Sequence, residues 1–512
     1  MNEDHEIQLE ISVIDLLFEL EKRAPKDIFD ELISLLDINN KTNLWIIGRN
    51  LYHVCYGRPN LILELCDIAV RVKAVVDDKL EWSTALSISI ITESEFMSCA
   101  PHESVFFYGF LCYFDVVDPT KRFLTIYKIF QGSSQFVQET IIIKTLIPLI
   151  LSCYNIFKTK FPEFLQDIQR ILKSNYSELF EELDNFISLN CDLKNIIPFV
   201  ISKKIQNPNN KNSNYVNETN DIDAKIDNDM SENNLNDRKI LSESHYLHVI
   251  IAEDDVDSLQ RVVSKENFSI DTRVDISLLC CSELLVNKPT ILLLSAFYGA
   301  IRCFKFLFLN HASVFNEDLS DTSNTIATYA VAGGNIEIIR ILIQENIIFT
   351  EAFFSSISFH RNDLFYWFLD QNICHINQLS KDEMSSMHFA AESNNLEIAL
   401  FLVESGVVFN FTTNYYVSDN ETPLDLACTY DCIGIVRIIC HSYPKIPKVS
   451  FVAGLLQAIS SNSVEVFKFL IEFCKPMLEH KDVENMKDTH QKSVAQFSDS
   501  HDILNILNEL DI

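Results

Sequence analysis

The sequence predicts an all-α protein: a solenoid of helix pairs in its second half, preceded by an acidic all-helical domain. An acidic residue recurs at the start of short helical segments there, and an apolar residue follows it five positions later. Upstream of each acid lies a small or apolar anchor residue, and the anchors are about 35 residues apart, a period typical of stacked repeats. The eight anchors are Ile250, Ser295, Ala330, Ser356, Ala390, Ala427, Ala458 and Ala495.

The recurring acids have a simple electrostatic explanation. Each is expected near the N-terminus of a second helix, where the helix dipole favours a negative charge by about 0.3–1 kcal/mol. This role explains all of them together, so we do not expect them to be catalytic. Arg302 and Gly434 take the acidic position in the units of Ser295 and Ala427. The acids and the apolar residues that follow them are Asp257 and Val262, Glu337 and Leu342, Asp363 and Phe368, Glu397 and Leu402, Glu465 and Leu470, and Asp502 and Leu507.

Size, charge and cysteine usage limit the class of protein. A chain of 512 residues is too long for one ordinary core, and 47% hydrophobic residues allow extensive burial. The net charge of −31 argues against a nucleic-acid partner. The 14 cysteines are scattered and form no CxxC pair, so we expect buried free thiols in a reducing compartment. These features predict a soluble, intracellular, cytoplasmic protein without cofactor or metal.

The most hydrophobic stretch, from Thr140 to Phe157, is the main candidate for a membrane segment, since a second one, Val105 to Phe114, is too short. It is interrupted by Lys144 and Pro148 and barely reaches the length of a span. A buried helix is therefore expected, with peripheral insertion near Ile141 to Phe157 as the alternative. The N-terminus lacks the layout of a signal peptide. We expect no membrane span.

Composition divides the chain into three regions. Residues 1–205 contain closely spaced helical patterns without the alternation typical of strands, so an all-helical N-terminal domain is expected. Residues 206–240 are rich in asparagine and aspartate and poor in apolar residues, which predicts a disordered linker. Residues 241–512 carry the repeats, about eight of them by the anchor count.

Four segments of the last region resemble ankyrin repeats. Residues Thr422 to Ala427 match the TPLHxA pattern with an aspartate in the histidine position, and residues Ser385 to Ala390 match it more loosely. Residues Gly334 to Leu342 and Asn395 to Leu402 match the segment GNxEIV that opens the second helix. The whole layout also resembles the degenerate, DUF3447-type ankyrin families of unicellular parasites. The resemblance implies an ankyrin-type helix-pair solenoid.

Glycine usage departs from the ankyrin pattern. The chain has only 10 glycines, fewer than consensus repeats would place at their turns and helix ends. Asn346 and Asn372 stand where Gly406 stands in its own unit. Asparagine is the next-best residue for a left-handed cap, so these asparagines are predicted to end helices. His388 and His248 fall in the histidine position of the pattern, and the resemblance implies a structural hydrogen-bonding role for both.

Motifs for common enzyme chemistry are missing from the sequence. It contains no GxGxxG or GxxxxGK[ST] loop, no GxSxG elbow and no HExxH pair. Together with the repeats, this predicts a non-enzymatic scaffold or adaptor that binds protein partners through the repeat surface. The alternative is an enzyme or regulatory subunit whose activity lies in residues 1–205, with the repeats as a targeting module.

The resemblance also implies where partners dock, on the hairpin tips and the first-helix face. The candidate segments are Asn377 to Asp382 and Asn410 to Val417. Tyrosine is enriched at binding hot spots, so the tyrosine pair of the second segment could anchor a partner, although it could also pack under the hairpin. The candidate contact residues are Asn377, Lys381, Asp382, Asn414, Tyr415 and Tyr416.

Overall fold

The computed structural model places most of the chain, and every structural statement below concerns the residues that it describes. The predicted linker 206–240 lies outside them, as do Asn414, Tyr415 and Tyr416 and all of the stretch from Thr140 to Phe157 except the buried Leu149. The predicted division into three regions therefore stays a prediction. The described residues are 3–88, 102–114, 116–117, 149, 158–175, 246–265, 268–274, 282–286, 288–314, 325–407, 422–443, 446–461, 463–496 and 501–509.

The N-terminal part of the described chain is helical, as predicted. Asn40 caps one helix by accepting a hydrogen bond from the backbone N–H of Asn43 at 3.3 Å. A helix that the sequence analysis did not predict contains Trp82, whose buried indole donates to the carbonyl of Ala69 at 3.1 Å. The helices are α1 (Glu3–Phe18), continued by a 3-10 turn (Glu19–Glu21), α2 (Pro25–Leu35), α3 (Lys41–Gly57), α4 (Ile62–Val75), α5 (Lys79–Ile88), α6 (His102–Tyr113) and α7 (Pro162–Asn175).

Helix pairs follow one another in the second half of the described chain. Each predicted anchor whose side chain is described is buried, and so are the apolar residues that follow the acids, as the repeat register predicts. The pairs are α8 (246–252) and α9 (Val256–Val263), α11 (Ile291–Phe297) and α12 (Ile301–Leu309), α13 (Ile326–Gly333) and α14 (Ile336–Gln344), α15 (Thr350–Ser358) and α16 (Asn362–Asp370), α17 (Ser386–Glu392) and α18 (Leu396–Glu404), α19 (Pro423–Thr429) and α20 (Ile433–Ser442), α21 (Lys448–Ser460) and α22 (Val464–Cys474), and α23 (His480–Gln496) and α24 (His501–Glu509); the short α10 (Glu283–Val286) precedes α11.

The fold class is the predicted one: an all-α helix-pair solenoid with a helical N-terminal region. Where the chain is described, β-structure is limited to two isolated antiparallel bridges, Arg273 with Thr290 and Leu379 with Ser385. Within the same residues, no helix has the length and apolarity needed to cross a bilayer.

Left-handed residues recur at both ends of the helix pairs. Asn346 and Asn372 have φ of +62° and +52°, close to the +69° of Gly406, so the predicted asparagine caps are confirmed. The turn inside each of the first six pairs also has one residue of positive φ, and in four of them it is aspartate, histidine or asparagine. These residue types tolerate the left-handed region better than most, which explains how so few glycines suffice. The turn residues are Asp254, Gly299, Gly334, His360, Asn394 and Asp431.

The antiparallel pairs give the solenoid two edges. The short turns inside the pairs lie along one edge, which we call the turn edge and define by residues 298–300, 333–335, 359–361, 393–395 and 430–432. The connections between pairs lie at the opposite ends of the helices and form the finger edge, of which 371–385 is fully described.

Helix α1 contributes to two hydrophobic cores at once. Ile7 and Ile14 belong to the core of the repeats, while Val13 and Leu17 belong to the core of the N-terminal helices. Phe18 packs against both cores. This explains the broad apolar face of α1, because the helix is covered on two sides. The N-terminal helices are thereby packed against the turn edge of the repeats.

Candidate protein-interaction surfaces

The predicted contact residues of the first segment lie together on one finger. Asn377, Lys381 and Asp382 are exposed in the hairpin that joins α16 to α17. Leu379 at the base of this hairpin is 44% exposed. The structure therefore brings three of the six predicted contact residues together, while Asn414, Tyr415 and Tyr416 lie outside the described residues.

This finger is tied to the preceding repeat. The amide of Gln378 donates to the carbonyl of Thr350 at 3.2 Å, and the backbone N–H of Lys381 donates to the carboxylate of Glu351 at 3.0 Å. Within the hairpin, the N–H of Ser380 donates to the carbonyl of Met384 at 2.9 Å. These bonds hold the exposed tip in one position, which reduces the entropy that a bound partner would have to overcome.

The residues in the histidine position of the pattern are structural. Nδ1 of His388 accepts the backbone N–H of Ser385 at 3.1 Å at the start of α17. Asp425 does the same in its repeat, because its carboxylate accepts the N–H of Thr422 at 2.9 Å and the hydroxyl at 2.7 Å. His248 contacts the hydroxyl of Tyr298 in the next repeat. The predicted hydrogen-bonding role is confirmed for His388, and an aspartate serves equally well in the unit of Ala427.

The opposite, turn edge makes buried contacts with the N-terminal helices. Arg58, which follows α3 and is 5% exposed, donates to the carbonyls of Phe359 and His360, the latter at 3.4 Å. Its Nε also donates to Glu21 at 2.6 Å. The guanidinium lies over the ring of Phe18, 5.0 Å from its centroid. Arg58 thus joins α1, α3 and the turn between α15 and α16.

Glu21 reaches a second arginine, which belongs to the repeats. Arg361 donates to Glu21 at 3.4 Å and to the carbonyl of Ala332 at 2.8 Å. A cation over the last carbonyls of α13 is favoured by the helix dipole. Gly334 makes this approach possible, because a Cβ there would lie 2.6 Å from the Arg361 guanidinium carbon.

A second charged cluster joins α1 and α3 to the turns further along the solenoid. Arg49 lies 3.3 Å from the carboxylate of Glu10 and donates to the carbonyl of Asp431 at 3.2 Å. Asn394 donates to the same Glu10 carboxylate at 3.3 Å and to Asn50 at 3.2 Å. All five residues are buried. Removing one charge from such a cluster leaves the others uncompensated, so the cluster fixes the register of the contact.

The packing around Gly434 explains why this repeat lacks the acid at the start of its second helix. It is the second residue of α20, the position that carries an acid in most repeats. A Cβ at this position would lie 2.6 Å from Cδ2 of Leu396 and 3.0 Å from the Glu10 carboxylate. Glu10 of α1 therefore occupies the space of the missing side chain, and its charge lies where the helix dipole favours one. Glu6 forms an ion pair with Arg437 one turn further along α20.

Two histidines lie buried in the same contact. His53 of α3 is 9% exposed, and its Nε2 lies 3.9 Å from the Cys432 sulfur. His360 is 8% exposed, its Nε2 bonds the carbonyl of Ser393 at 2.8 Å, and its ring lies 5.0 Å from that of Phe18. Burial lowers the pKa of His53 well below 6.5, and burial with the nearby Arg58 lowers the pKa of His360 to about 4. Both imidazoles are neutral near pH 7.

A cavity of about 220 Å³ remains between α1 and the repeats. Its lining includes apolar residues of α1 and the carboxylates of Asp15, Asp363 and Glu397. Glu397 is already held by the Asn362 amide at 2.7 Å and the Tyr366 hydroxyl at 3.0 Å. In the described ranges, no three or more His, Cys, Asp or Glu side chains are placed to hold a metal ion.

The contact between the turn edge and the N-terminal helices was not predicted from the sequence. Glu10 of α1 and Arg49 of α3 match no motif, because they are paired with each other and with the repeats only across long sequence separation. One signal was visible: Gly434 breaks the acidic register of the repeats. A glycine at a helix position that normally carries a charge indicates that another element comes close.

One comparison with known proteins, the family model, agrees with the helix-pair geometry. The family model described as ankyrin repeats (3 copies) matches residues 353–449. Among solved structures, the human ASB11 ankyrin repeat domain is similar, with 18% identity over 44% of this chain and 82% of that chain and a TM-score of 0.23. The comparison with curated proteins gives no match.

The family match covers the pairs from α15 to the start of α21, and the flanking pairs α11–α12 and α13–α14 keep the same register of anchor, turn and buried apolar residue. Ankyrin repeats imply a protein–protein interaction module. The finer resemblance to DUF3447-type repeats stays a prediction. The chain therefore contains ankyrin repeats.

Proposed function

We propose that this protein is a non-enzymatic scaffold or adaptor that binds protein partners on the finger edge of its ankyrin repeats. The proposal is supported by the contact of the N-terminal helices with the opposite, turn edge. The N-terminal helices cover the turn edge with buried pairs such as Arg49 with Glu10, whereas Asn377, Lys381 and Asp382 project into solvent. Among the described residues, none has to be displaced for a partner to reach Asn377, Lys381 and Asp382.

The chemistry of the finger favours a partner with basic groups beside an apolar residue. Asp382 and Glu383 are exposed at the tip, and the net charge of the whole chain is −31. Complementary charge accelerates association and excludes acidic competitors. Leu379, which is 44% exposed, supplies an apolar contact next to these carboxylates.

Site-specific photo-crosslinking in cells tests this proposal. A photoreactive amino acid at Asn377 or Lys381 is expected to give a defined protein adduct, whereas one at the exposed Glu472 of α22 is not. Adding Asp382→Lys with Glu383→Lys should reduce adduct yield at Asn377 by about tenfold or more, since one or two charge pairs are lost. Equal yields at Asn377 and Glu472, or adducts insensitive to the charge reversal, would contradict a finger-edge site.

The proposed compartment is a reducing, intracellular one. Cys303, Cys374, Cys428, Cys432, Cys440 and Cys474 are buried free thiols, which supports this proposal. Free buried thiols behave as small apolar side chains, and burial raises the pKa of Cys440 and Cys474 to about 12.

A further inference from the structure

We propose that the contact between the N-terminal helices and the turn edge is an acid-sensitive clamp, which His53 and His360 loosen when they take up protons. The geometry carries the proposal, because one imidazole from each side is buried where the two sides meet. The clamp concerns the turn edge alone and does not rest on the function proposed for the finger edge.

His360 belongs to the repeats and meets the N-terminal helices directly. Its ring faces Phe18 of α1, and its Cδ2 lies 3.4 Å from the position that a Cβ on Gly57 would take. The Arg58 guanidinium lies on the adjacent backbone and opposes a second positive charge there. The carboxylates of Asp15, Asp363 and Glu397 face the same cavity. Their attraction does not outweigh burial, since the pKa of His360 is lowered to about 4.

His53 belongs to the N-terminal helices and meets the repeats. It lies one turn after Arg49 on α3, and its ring faces Cys432. Burial lowers its pKa most, and the positive charge of Arg49 and the ring of His360 lower it further. A proton on either histidine therefore disfavours a proton on the other while the two sides remain in contact.

The sign of the effect follows from linkage. Each histidine has a lower pKa in the docked state than the 6.5 of a free imidazole, so the undocked state binds more protons between about pH 6.5 and 4. Docking is therefore lost as the pH falls through 6.5. Asp431 acts in the opposite direction, because burial beside Glu465 and Glu10, only partly offset by Arg49, raises its pKa to about 6.

The effects of His360 and Asp431 on the undocking constant differ in size. From pH 7.5 to 5, the pKa values of 6.5 and about 4 imply that His360 raises the undocking constant about 30-fold. Asp431, with about 6 against 3.8, lowers the same constant about tenfold. Asp15 of α1 acts in the same direction as Asp431, because burial, Glu397 and Glu19 raise its pKa. His53, whose pKa burial lowers well below 6.5, adds to His360, so the two histidines together favour undocking in acid.

Hydroxyl-radical footprinting of the full chain at pH 7.5 and pH 5 tests the clamp. The labelling of Leu396, 1% exposed and covered by α1, should rise at pH 5 in the natural protein. That rise should be clearly smaller in His360→Asn, because the group that changes the undocking constant about 30-fold is gone. Asparagine suits the left-handed backbone of residue 360, as Asn394 shows in the next repeat. His53→Gln is the second variant and should also reduce the rise.

His375→Gln is the matched control, because His375 is exposed on the finger. It should keep the pH dependence of the natural protein. The label on Phe353, in the core of the repeats, separates undocking from unfolding and should not change with pH. Equal pH dependence in the natural protein, His360→Asn and His53→Gln would overturn the proposal, as would stronger protection of Leu396 at pH 5.

Discussion

Leu402→Asp is expected to lower the free energy of unfolding by at least about 4 kcal/mol. Leu402 is fully buried in α18, between the helices of neighbouring repeats. The substitution removes an apolar side chain from a packed site and places an unpaired carboxylate there, and each of these costs several kcal/mol. Urea unfolding of the full chain, followed by circular dichroism, measures the effect.

The same substitution at an exposed leucine is the control. Leu309 ends α12 and is 74% exposed. Leu309→Asp loses little buried surface, and its charge near a helix C-terminus costs only about 0.3–1 kcal/mol. If Leu402→Asp unfolded at the same urea concentration as Leu309→Asp, the repeat register would be wrong.

Arg49→Met is expected to lower the free energy of unfolding by about 3–5 kcal/mol at pH 7.5. Arg49 is 4% exposed and is the cation of the cluster that contains Glu10 and Asp431. Methionine fills a similar volume but leaves two buried carboxylates without a counter-charge. The same urea unfolding experiment reports the loss.

Two further variants show whether the loss comes from the charge cluster. Arg23→Met removes an arginine that pairs with Glu19 and Glu31 at the surface, where ion pairs contribute little, and should leave the unfolding midpoint nearly unchanged. Combining Arg49→Met with Glu10→Gln and Asp431→Asn should restore most of the lost stability, because no uncompensated charge remains. An Arg49→Met variant as stable as Arg23→Met would mean that the cluster is not formed.

The fold of the repeats was predictable because several units share the same pattern of a helix-start acid, a buried apolar residue and a left-handed cap. Buried residues such as Leu342 and Leu402 recur at one distance from the helix-start acid, and the structure buries both. The left-handed caps at Asn346 and Asn372 were predictable for the same reason, since few residue types tolerate that backbone. Because this spacing of buried residues and caps recurs in several units, it indicates both the fold and the register of the repeats.

The turn-edge contact was not predictable, because its partners are far apart in sequence. Glu10 and Asn394 are separated by 384 residues, and neither side chain carries a pattern that indicates the other. The broad apolar face of α1 indicated burial but not burial on two sides. Helix α5 was missed although Trp82, Ala85 and Leu86 have helical spacing, because this apolar stripe is only about one turn long.

Both the free finger edge and the acid-sensitive clamp depend on the docking of α1 against the turn edge. A crosslink of zero length tests that contact directly. Glu6 and Arg437 form an ion pair across it, so Arg437→Lys places an amine beside the Glu6 carboxylate. A carbodiimide joins an amine to a carboxylate only where the two are in contact. Lys448 and Asp482, 2.8 Å apart within the repeats, supply an internal positive control in the same sample.

Two substitutions at the same register position sharpen this experiment. Gly434→Glu, added to Arg437→Lys, places a side chain in the space of Glu10 and should abolish the crosslink. Arg302→Glu puts the same residue at the equivalent position of another repeat, where the arginine side chain is 58% exposed, and should leave the crosslink intact.

Peptide mass spectrometry of the carbodiimide-treated Arg437→Lys protein is the most direct measurement. If α1 is docked, we expect an amide between Glu6 and the amine introduced at position 437, at a yield comparable to that of the pair Lys448 and Asp482. Formation of the control amide without any amide to Glu6 would show that α1 does not lie on the repeats, and the turn-edge contact would have to be abandoned.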